Sequence, residues 1–422
     1  MLIERIIKDL VADNISNKKQ FNWYILFIFS LASIVMGIYR DGITSLFPFL
    51  QKYFDLTRTQ LGLYITSLYL TSSIFGVFSG RLVDSKGSKW GIVYGTLSVG
   101  ILIILHSIAT NFIILIILAA IVGLGLSINA PAANKGITGW FPYKWRSTAT
   151  GIWSTAFPIG GILAASILPI LGVLFGWRKA FLFPGIFALF CSLFILIFYK
   201  DNLKEKNNFF KNKTNNISFW KEFNCLIKNF NLVAISVYGF FLGTVAGAIS
   251  THFALFLYLD YGLNETFAGL GFAIVQLGSV IGRVGWGLIC DIFFLGNRRK
   301  VFLFIGILFF LISLIYGLFL KTINTSILVI FLLAFLVGFT GRGWNGLFFS
   351  YIPKTVGEEQ VGIAIGLAMA FLRGGLLISP PIFGYIADIR NSYDLSWIIL
   401  GLTFLLVSFG QYICCGNRKK SK

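Results

Sequence analysis

Long runs of apolar residues, separated by short polar segments, dominate the chain. Because a helix rises about 1.5 Å per residue, about 20 consecutive apolar residues are needed to cross the hydrocarbon core of a bilayer. Such windows occur twelve times, without the alternation of polar and apolar residues that barrel strands show. The pattern predicts membrane-spanning helices at about residues 22–48, 58–80, 90–109, 111–136, 147–174, 179–199, 231–258, 266–289, 300–320, 325–352, 361–387 and 394–415.

A long polar stretch divides these windows into six and six. Residues 200–230 contain repeated Asn together with Lys200, Lys204, Lys206, Lys211, Lys213, Lys221 and Lys228. So many charges are too costly to place in hydrocarbon. We therefore predict an N-terminal half at 1–199, a basic cytoplasmic linker at 200–230 and a C-terminal half at 231–422.

The two predicted halves repeat short patterns of small residues and acids. Gly80-x-x-x-Asp84 follows the second window, and Gly287-x-x-x-Asp291 follows the eighth. The fifth and eleventh windows share a further pattern, in which Gly151, Gly160, Gly161 and Pro169 correspond to Gly366, Gly374, Gly375 and Pro380–Pro381. Small residues let helices approach closely in membranes. We expect an all-α membrane protein whose twelve helices form two pseudo-symmetric six-helix halves.

Composition and charge agree with this class. The chain is 57% hydrophobic and 12% charged, whereas soluble domains carry about 25% charged residues. The net charge is +19, and 24 Lys and Arg fall in segments on the side of the N-terminus against six on the other side. By the positive-inside rule, both termini are predicted to be cytoplasmic. The charge is therefore a topology signal, and we expect no nucleic-acid partner.

Metal and enzyme chemistry have little support in the sequence. The chain has two His and five Cys, with neither a CxxC nor an HExxH spacing. We find no constellation of nucleophile and base. We expect no metal, no cofactor and no enzymatic activity.

Residues 80–89, GRLVDSKGSK, resemble the signature of the major facilitator superfamily. The matching positions are Gly80, Asp84, Lys86, Gly87 and Lys89, and Asp291 belongs to the second copy. The resemblance implies two halves that alternate access to a central substrate, with Asp84 as a gate residue. The alternative is that Asp84 and Lys89 only cap helices and bind headgroups.

Charges inside the windows point to the substrate. Five basic residues and one acid lie there, and each costs roughly 2.5–3.5 kcal/mol near the bilayer centre. This excess predicts an anionic substrate. Arg283, Arg342 and Arg373 are predicted near the midplane, where a guanidinium can bind a carboxylate through two hydrogen bonds. The alternative is an Arg bonded to backbone carbonyls at a broken helix.

The remaining intramembrane charges and both histidines are more ambiguous. Lys135 is close enough to the inner surface to reach headgroups, and it is a further candidate for the substrate path. Arg40 and Asp41 are adjacent on one helix, so we expect only one of them to line the path. His252 is either a pH-responsive group or a packed ring, and His106 is predicted at the membrane interface. Asp41 or His252 would carry a coupled proton.

Two stretches resemble different transporter groups within the superfamily. The run from His252 to Asp291, with Gly282–Arg283 at its centre, is similar to monocarboxylate and oxalate:formate transporters. The resemblance implies that Arg283 binds a carboxylate and that Arg373 pairs with it. The run from Trp140 to Arg178 resembles organic-anion symporters and sugar-phosphate antiporters instead. The subfamily stays open.

The leading hypothesis is a monomeric secondary transporter of a small mono- or dicarboxylate in a bacterial cytoplasmic (inner) membrane, with an organelle membrane as the other location. Arg283, Arg373, Arg342 and Arg40 would bind the anion, and a proton or counter-anion would accompany it. An inorganic-anion or sugar-phosphate carrier would use the same arginines. Cationic drug efflux would need more membrane acids, and a non-transporting receptor would not need the gating motif.

Overall fold

The computed structural model describes residues 23–201, 226–319, 326–356 and 360–414. Its helices are α1 (Trp23–Phe54), α2 (Arg58–Lys86), α3 (Ser88–His106), α4 (Phe112–Trp140), α5 (Tyr143–Phe175), α6 (Trp177–Phe198), α7 (Phe230–Tyr261), α8 (Glu265–Phe293), α9 (Arg298–Leu318), α10 (Ile327–Thr355), α11 (Val361–Arg390) and α12 (Asp394–Cys414). Eleven are long and apolar enough to cross a membrane, and α2 is the twelfth when its two segments, inclined at 56°, count as one span. The predicted all-α class with twelve spans is confirmed.

Several predictions concern parts of the chain outside the described residues. These parts are the basic segments at both termini and positions 202–225, which form most of the linker predicted at 200–230. The linker boundaries and the cytoplasmic location of the termini therefore stay predictions.

The helices pair in the same way in each half. In the first half α1 packs on α5, α2 on α4 and α3 on α6. In the second half α7 packs on α11, α8 on α10 and α9 on α12. The halves meet through α2 with α11 and through α5 with α8. The pseudo-symmetry predicted from the sequence patterns is therefore visible in the packing.

Glycines allow the closest of these contacts. A Cβ at Gly160 of α5 would overlap the carbonyl oxygen of Ile34 on α1, and one at Gly375 of α11 would overlap that of Phe240 on α7. The two contacts occupy equivalent places in the two halves, so the glycine pattern shared by α5 and α11 marks a repeated helix crossing.

A second pair of glycines fixes the register of the repeat. Gly123 of α4 lies against the carbonyl oxygen of Leu68 on α2, and Gly338 of α10 lies against that of Val275 on α8. Leu68 and Val275 are therefore structurally equivalent positions. The residues that follow them, Tyr69 and Gln276, therefore occupy equivalent positions in the two halves.

The two ends of the bundle differ. We call the end with the α2–α3 turn at Gly87 the motif side, and the end where α2 begins and α11 ends the seal side. On the seal side, Gly62 lies against Pro381, and Gly384 lies against Arg58. On the motif side, a Cβ would meet no other described residue within 4 Å at Gly80, Gly151, Gly287 or Gly366. The halves are thus packed together on the seal side and separate toward the motif side.

The glycine crossings make a prediction about stability. In Gly375→Ala the new methyl group meets the backbone of α7, and overpacking of this kind costs about 1–3 kcal/mol. We expect a lower unfolding temperature for the detergent-solubilised variant in differential scanning fluorimetry. Gly366→Ala on the same helix is the matched control and should unfold with the wild type. Equal unfolding temperatures for both variants would contradict the crossing.

Candidate functional site

The middle of α1 is irregular at its two charged residues. A π turn covers Ile38–Gly42, and a 3₁₀ turn covers Ile43–Leu46, two residues before Pro48. Pro48 has no N–H to donate, so the regular α-helical bonding pattern cannot continue through it. π turns inside helices occur frequently at functional sites because they change the direction of side chains. Here the turn contains Arg40 and Asp41.

Asp41 is held between two guanidinium groups. Its Oδ2 lies 2.7 Å from Nη2 of Arg40, and its Oδ1 lies 3.1 Å from Nη2 of Arg342 on α10. The Asp41 side chain is 1% exposed, so its charge depends on these two partners. We call Arg40, Asp41 and Arg342 the ion triad. Since α1 and α10 belong to different halves, the triad joins them.

The triad corrects one expectation about α1. Adjacent helix positions should point apart, so Arg40 and Asp41 were not expected to share the path. The structure pairs them, because the π turn rotates their side chains and the long Arg40 side chain folds back onto the carboxylate. Arg40 also lies over the ring of Phe157 on α5, 4.8 Å from its centroid.

A break in α10 positions Arg342. The first helical segment ends at Gly341 and the next begins at Asn345, so three residues between them are not helical. Side chains bond the carbonyl oxygens at the break: Trp286 bonds Phe339, Trp344 bonds Gly341, and both Ser279 and Asn345 bond Arg342. These donors satisfy carbonyls that would otherwise be buried without a partner. The guanidinium of Arg342 is therefore free to reach Asp41 rather than the carbonyls of the break.

Arg283 and Arg373 extend the positive charge away from the triad. Nη1 of Arg283 lies 3.4 Å from the carbonyl oxygen of Ser154 on α5, across the boundary between the halves. Arg373 is exposed, and its Nη1 lies 3.4 Å from the place a Cβ on Gly76 of α2 would occupy. Neither arginine forms an ion pair with another described residue.

The four arginines form one electrostatic cluster. Arg283 interacts electrostatically with Arg342, Arg40 and Asp41, and Arg373 interacts with Arg40. We call these four arginines with Asp41 the arginine cluster; four positive charges and one negative charge give it a net charge of +3. Among the described residues, its buried nitrogens without a hydrogen-bond acceptor are Nε of Arg40, Nε of Arg283 and Nη1 of Arg342. Such a site can accept an anion.

Lys135 lies outside this cluster. Its Nζ donates to the carbonyl oxygens of Val83 and Asp84 at 3.0 and 3.2 Å, and lies 3.5 Å from the Asp84 carboxylate. A cation here also meets the negative end of the α2 dipole. The structure therefore places Lys135 at the end of α2.

The motif at residues 80–89 spans the turn between α2 and α3. Asp84 has a side chain that is 62% exposed, and the ion pair that the structure shows for it is with Lys135 of its own half. Gly87 turns the chain at φ +94°, and the N–H of Lys89 donates to Asp201 at 2.9 Å. Lys86 and Asp291 are exposed.

The seal side is closed by a carboxylate at a helix end. Asp388 of α11 accepts hydrogen bonds from the N–H groups of Arg58 and Thr59 at 3.0 and 2.9 Å, and from the Thr59 hydroxyl at 2.6 Å. The Arg58 side chain donates to Asn391. A carboxylate is stabilised at the positive N-terminal end of a helix. We call this set of contacts the seal.

Prolines in α11 supply further acceptors for the seal. Pro381 has no N–H to donate to the carbonyl of Leu377, and the hydroxyl of Thr66 on α2 bonds that oxygen at 2.7 Å. His252 of α7 has one ring nitrogen 2.8 Å from the carbonyl oxygen of Pro380 and the other 3.0 Å from the Tyr393 hydroxyl. His252 is fully buried. The structure places it as a packed ring beside the seal.

His106 is the last residue of α3 and is fully buried within the first half. Its Nε2 lies 3.1 and 3.0 Å from the hydroxyls of Tyr39 and Tyr64, and its ring stacks on Phe181. These hydrogen bonds allow a polar imidazole ring to be buried among apolar residues.

Two features of the site carried signals that the sequence analysis did not use. Gly384-x-x-x-Asp388 is a third copy of the spacing seen at Gly80 and Gly287, here on the seal side. Gln276 interrupts an otherwise apolar stretch of α8. A polar side chain in such a window is costly to bury, as a charge is, and therefore indicates a functional or structural role.

Known proteins that are similar in sequence to this chain are membrane transporters. The sequence profile of the Major Facilitator Superfamily matches residues 29–293 and 235–414. A probable sulfoacetate transporter of Cupriavidus necator, SauU, is 23% identical over 89% of this chain and 90% of its own length. The hexuronate transporter of Bacillus subtilis is 24% identical over the same shares of the two chains.

A solved structure is similar as well. A bacterial homologue of the human lysosomal transporter Spinster superimposes with a TM-score of 0.79 at 17% identity, covering 96% of this chain and 100% of its own. The profile covers nearly the whole described chain in two overlapping matches. The chain therefore belongs to the major facilitator superfamily and is a multi-pass membrane transporter, not an enzyme.

Proposed function

We propose that the protein carries a small organic anion, a mono- or dicarboxylate, across the cytoplasmic membrane by alternating access. The observation that carries the proposal is the arginine cluster, a net charge of +3 at the middle of a membrane bundle with buried nitrogens that lack an acceptor among the described residues. A buried positive charge without a counter-ion is costly, so an anionic ligand would stabilise the site.

The geometry favours a carboxylate. Arg283 and Arg373 approach from α8 and α11 without a carboxylate partner among the described residues, and a guanidinium can bind both oxygens of one carboxylate. Sulfoacetate and hexuronate, the compounds in the names of the two relatives, are both organic anions. Phosphate and phosphorylated sugars can bind the same donors, so a phosphate or sugar-phosphate carrier is the alternative function. Uptake experiments distinguish the two.

We assign the motif side to the cytoplasm because 24 Lys and Arg lie in segments predicted there. The described conformation is then open to the inside and closed to the outside by the seal. Transport requires the seal to open and the ends near Asp84 and Asp291 to come together. The substrate would stay near the arginine cluster while the halves move.

Coupling would operate through Asp41. A substrate carboxylate that binds Arg342 or Arg40 competes with Asp41 for the same guanidinium groups. If Asp41 then takes up a proton, the anion and the proton move together. If Asp41 stays ionised, the ion triad holds the two halves of the empty carrier together, so that only the loaded carrier changes its access. The protein then exchanges one anion for another. Both ring nitrogens of His252 are hydrogen-bonded beside the seal, so we assign His252 no role in carrying a coupled proton.

Removal of Arg283 should weaken anion binding and uptake. In reconstituted vesicles we expect uptake of labelled oxalate, lactate or glucuronate by the wild type, and a decrease of at least about 10-fold in Arg283→Ala, the effect of losing a charged hydrogen bond. Arg178→Ala is the control, since Arg178 stacks on Tyr53 and Trp177 away from the cluster. Uptake of phosphate or glucose 6-phosphate without any carboxylate would favour the alternative.

Asp41→Asn separates symport from exchange. The amide keeps the shape of the carboxylate but can neither take up a proton nor neutralise Arg342. For a symporter we expect net uptake to lose its response to an imposed pH gradient, while exchange between internal and external substrate continues. For an exchanger the wild type itself should not respond to the gradient. A wild-type response that persists in Asp41→Asn would show that the proton uses another group.

Asp388→Asn should weaken the seal. Loss of the charge at the N-terminus of α2 shifts the conformational equilibrium toward closure of the motif side. Spin labels at Ser85→Cys and Gly366→Cys, in a background without the five native cysteines, should show a larger population of short distances. Asp260→Asn is the control, because Asp260 bonds the N–H of Tyr393 within its own half. An unchanged distribution in Asp388→Asn would show that Asp388 does not hold the seal.

A further inference from the structure

Gln276 is a buried amide that the anion site does not explain. It lies on α8 with no exposed surface, and neither its Nε2 nor its Oε1 has a hydrogen-bond partner among the described residues. An amide group offers two donors on nitrogen and two acceptor positions on oxygen. Buried polar groups are nearly always paired, so an unpaired amide beside a charged site is a candidate to bind a ligand.

The amide lies next to the ion triad. A Cβ on Gly161 of α5 would lie 2.9 Å from Nε2 of Gln276 and 3.0 Å from Cβ of Asp41. Gln276 also precedes Arg283 by seven residues, which is about two helical turns, so the two share a face of α8. The amide therefore lies at the contact between the halves, beside the ion triad.

The pseudo-symmetry gives a second reason to connect Gln276 with the site. Leu68 of α2 and Val275 of α8 make equivalent contacts, so Tyr69 and Gln276 occupy equivalent positions in the two halves. Tyr69 interacts electrostatically with Arg40, Asp41, Arg342 and Arg373. One neutral polar side chain from each half thus faces the arginine cluster.

We infer that Gln276 binds a hydroxyl group of the substrate, and that the substrate is a hydroxylated carboxylate such as a sugar acid. This inference rests on the proposed function. A hydroxyl can donate to Oε1 and accept from Nε2, whereas a carboxylate only accepts and is served by the arginines. An alkyl chain at this position would leave both amide atoms unpaired, which is a strong basis for discrimination.

The spacing also sets the length of the substrate. The guanidinium of Arg283 lies at the level of Ser154 on α5, and the amide of Gln276 lies at the level of Gly161. Seven residues along a helix span about 10 Å, and two hydrogen bonds of about 3 Å leave about 5 Å within the ligand. A hydroxyl several carbons away from the carboxylate fits this gap, and the hydroxyl of a short acid such as lactate does not reach it.

A matched pair of ligands tests the inference. D-glucarate and adipate are six-carbon dicarboxylates that differ in the hydroxyl groups of glucarate. We expect the purified full-length wild type to bind glucarate at least 10-fold more tightly than adipate in isothermal titration calorimetry. Gln276→Met keeps the length of the side chain but cannot form these hydrogen bonds. It should lose at least 10-fold in glucarate affinity and change adipate affinity less than twofold.

Gln411→Met is the control. Gln411 is also buried, and both of its amide atoms lack a partner among the described residues, but it lies on α12, which contributes nothing to the arginine cluster. Both affinities should match the wild type. If Gln276→Met does not fold, Gln276→Asn withdraws the amide by one methylene group and should show the same selective loss.

The outcomes separate this inference from the proposed function. Equal wild-type affinity for both ligands, or an equal loss of both in the Gln276 variants, would overturn the role of Gln276. Arg283→Ala would still weaken glucarate and adipate alike if the carboxylate site is correct. Failure of the wild type to bind either ligand, or any of the carboxylates used for uptake, would overturn both proposals.

Discussion

The buried ion pair between Asp41 and Arg342 constrains the rest of the structure. Two charges at the centre of a membrane bundle are stable only when they are paired, and these two come from different halves. The π turn of α1 and the break in α10 bring them together, and side chains of α8 satisfy carbonyls at the break. The irregular backbone is buried inside the protein, which is where a membrane protein can accommodate it.

The closed and open ends follow from different chemistry on the same helices. On the seal side, α2 and α11 are joined by directional hydrogen bonds that end on a carboxylate and on carbonyls released by proline. On the motif side, the same helices present glycines and exposed charges. Both sets of residues lie on helices that also form the contact between the two halves.

The sequence predicted what depends on local spacing. Apolar windows located the twelve spans, and repeated glycines located equivalent helix crossings such as those at Gly160 and Gly375. The arginines near the midplane could be found because a charge in an apolar window stands out. The pairing of Arg40 with Asp41 could not, since it depends on a π turn that the residue order does not reveal. The contacts of Lys135 and His106 could not be predicted either, because their partners, Asp84 and two tyrosines, lie on other helices.

The net charge of the arginine cluster has an electrical consequence. In the proposed orientation, with the motif side open to the cytoplasm, most of a transmembrane voltage would fall across the seal. When access changes from one side to the other, the potential at the cluster changes by nearly the whole membrane voltage, even though the charged residues themselves move little. Each elementary charge contributes about 2.3 kcal/mol per 100 mV. A voltage that is negative on the cytoplasmic side would therefore hold the empty carrier open to the inside, and each negative charge on a bound anion would weaken that bias.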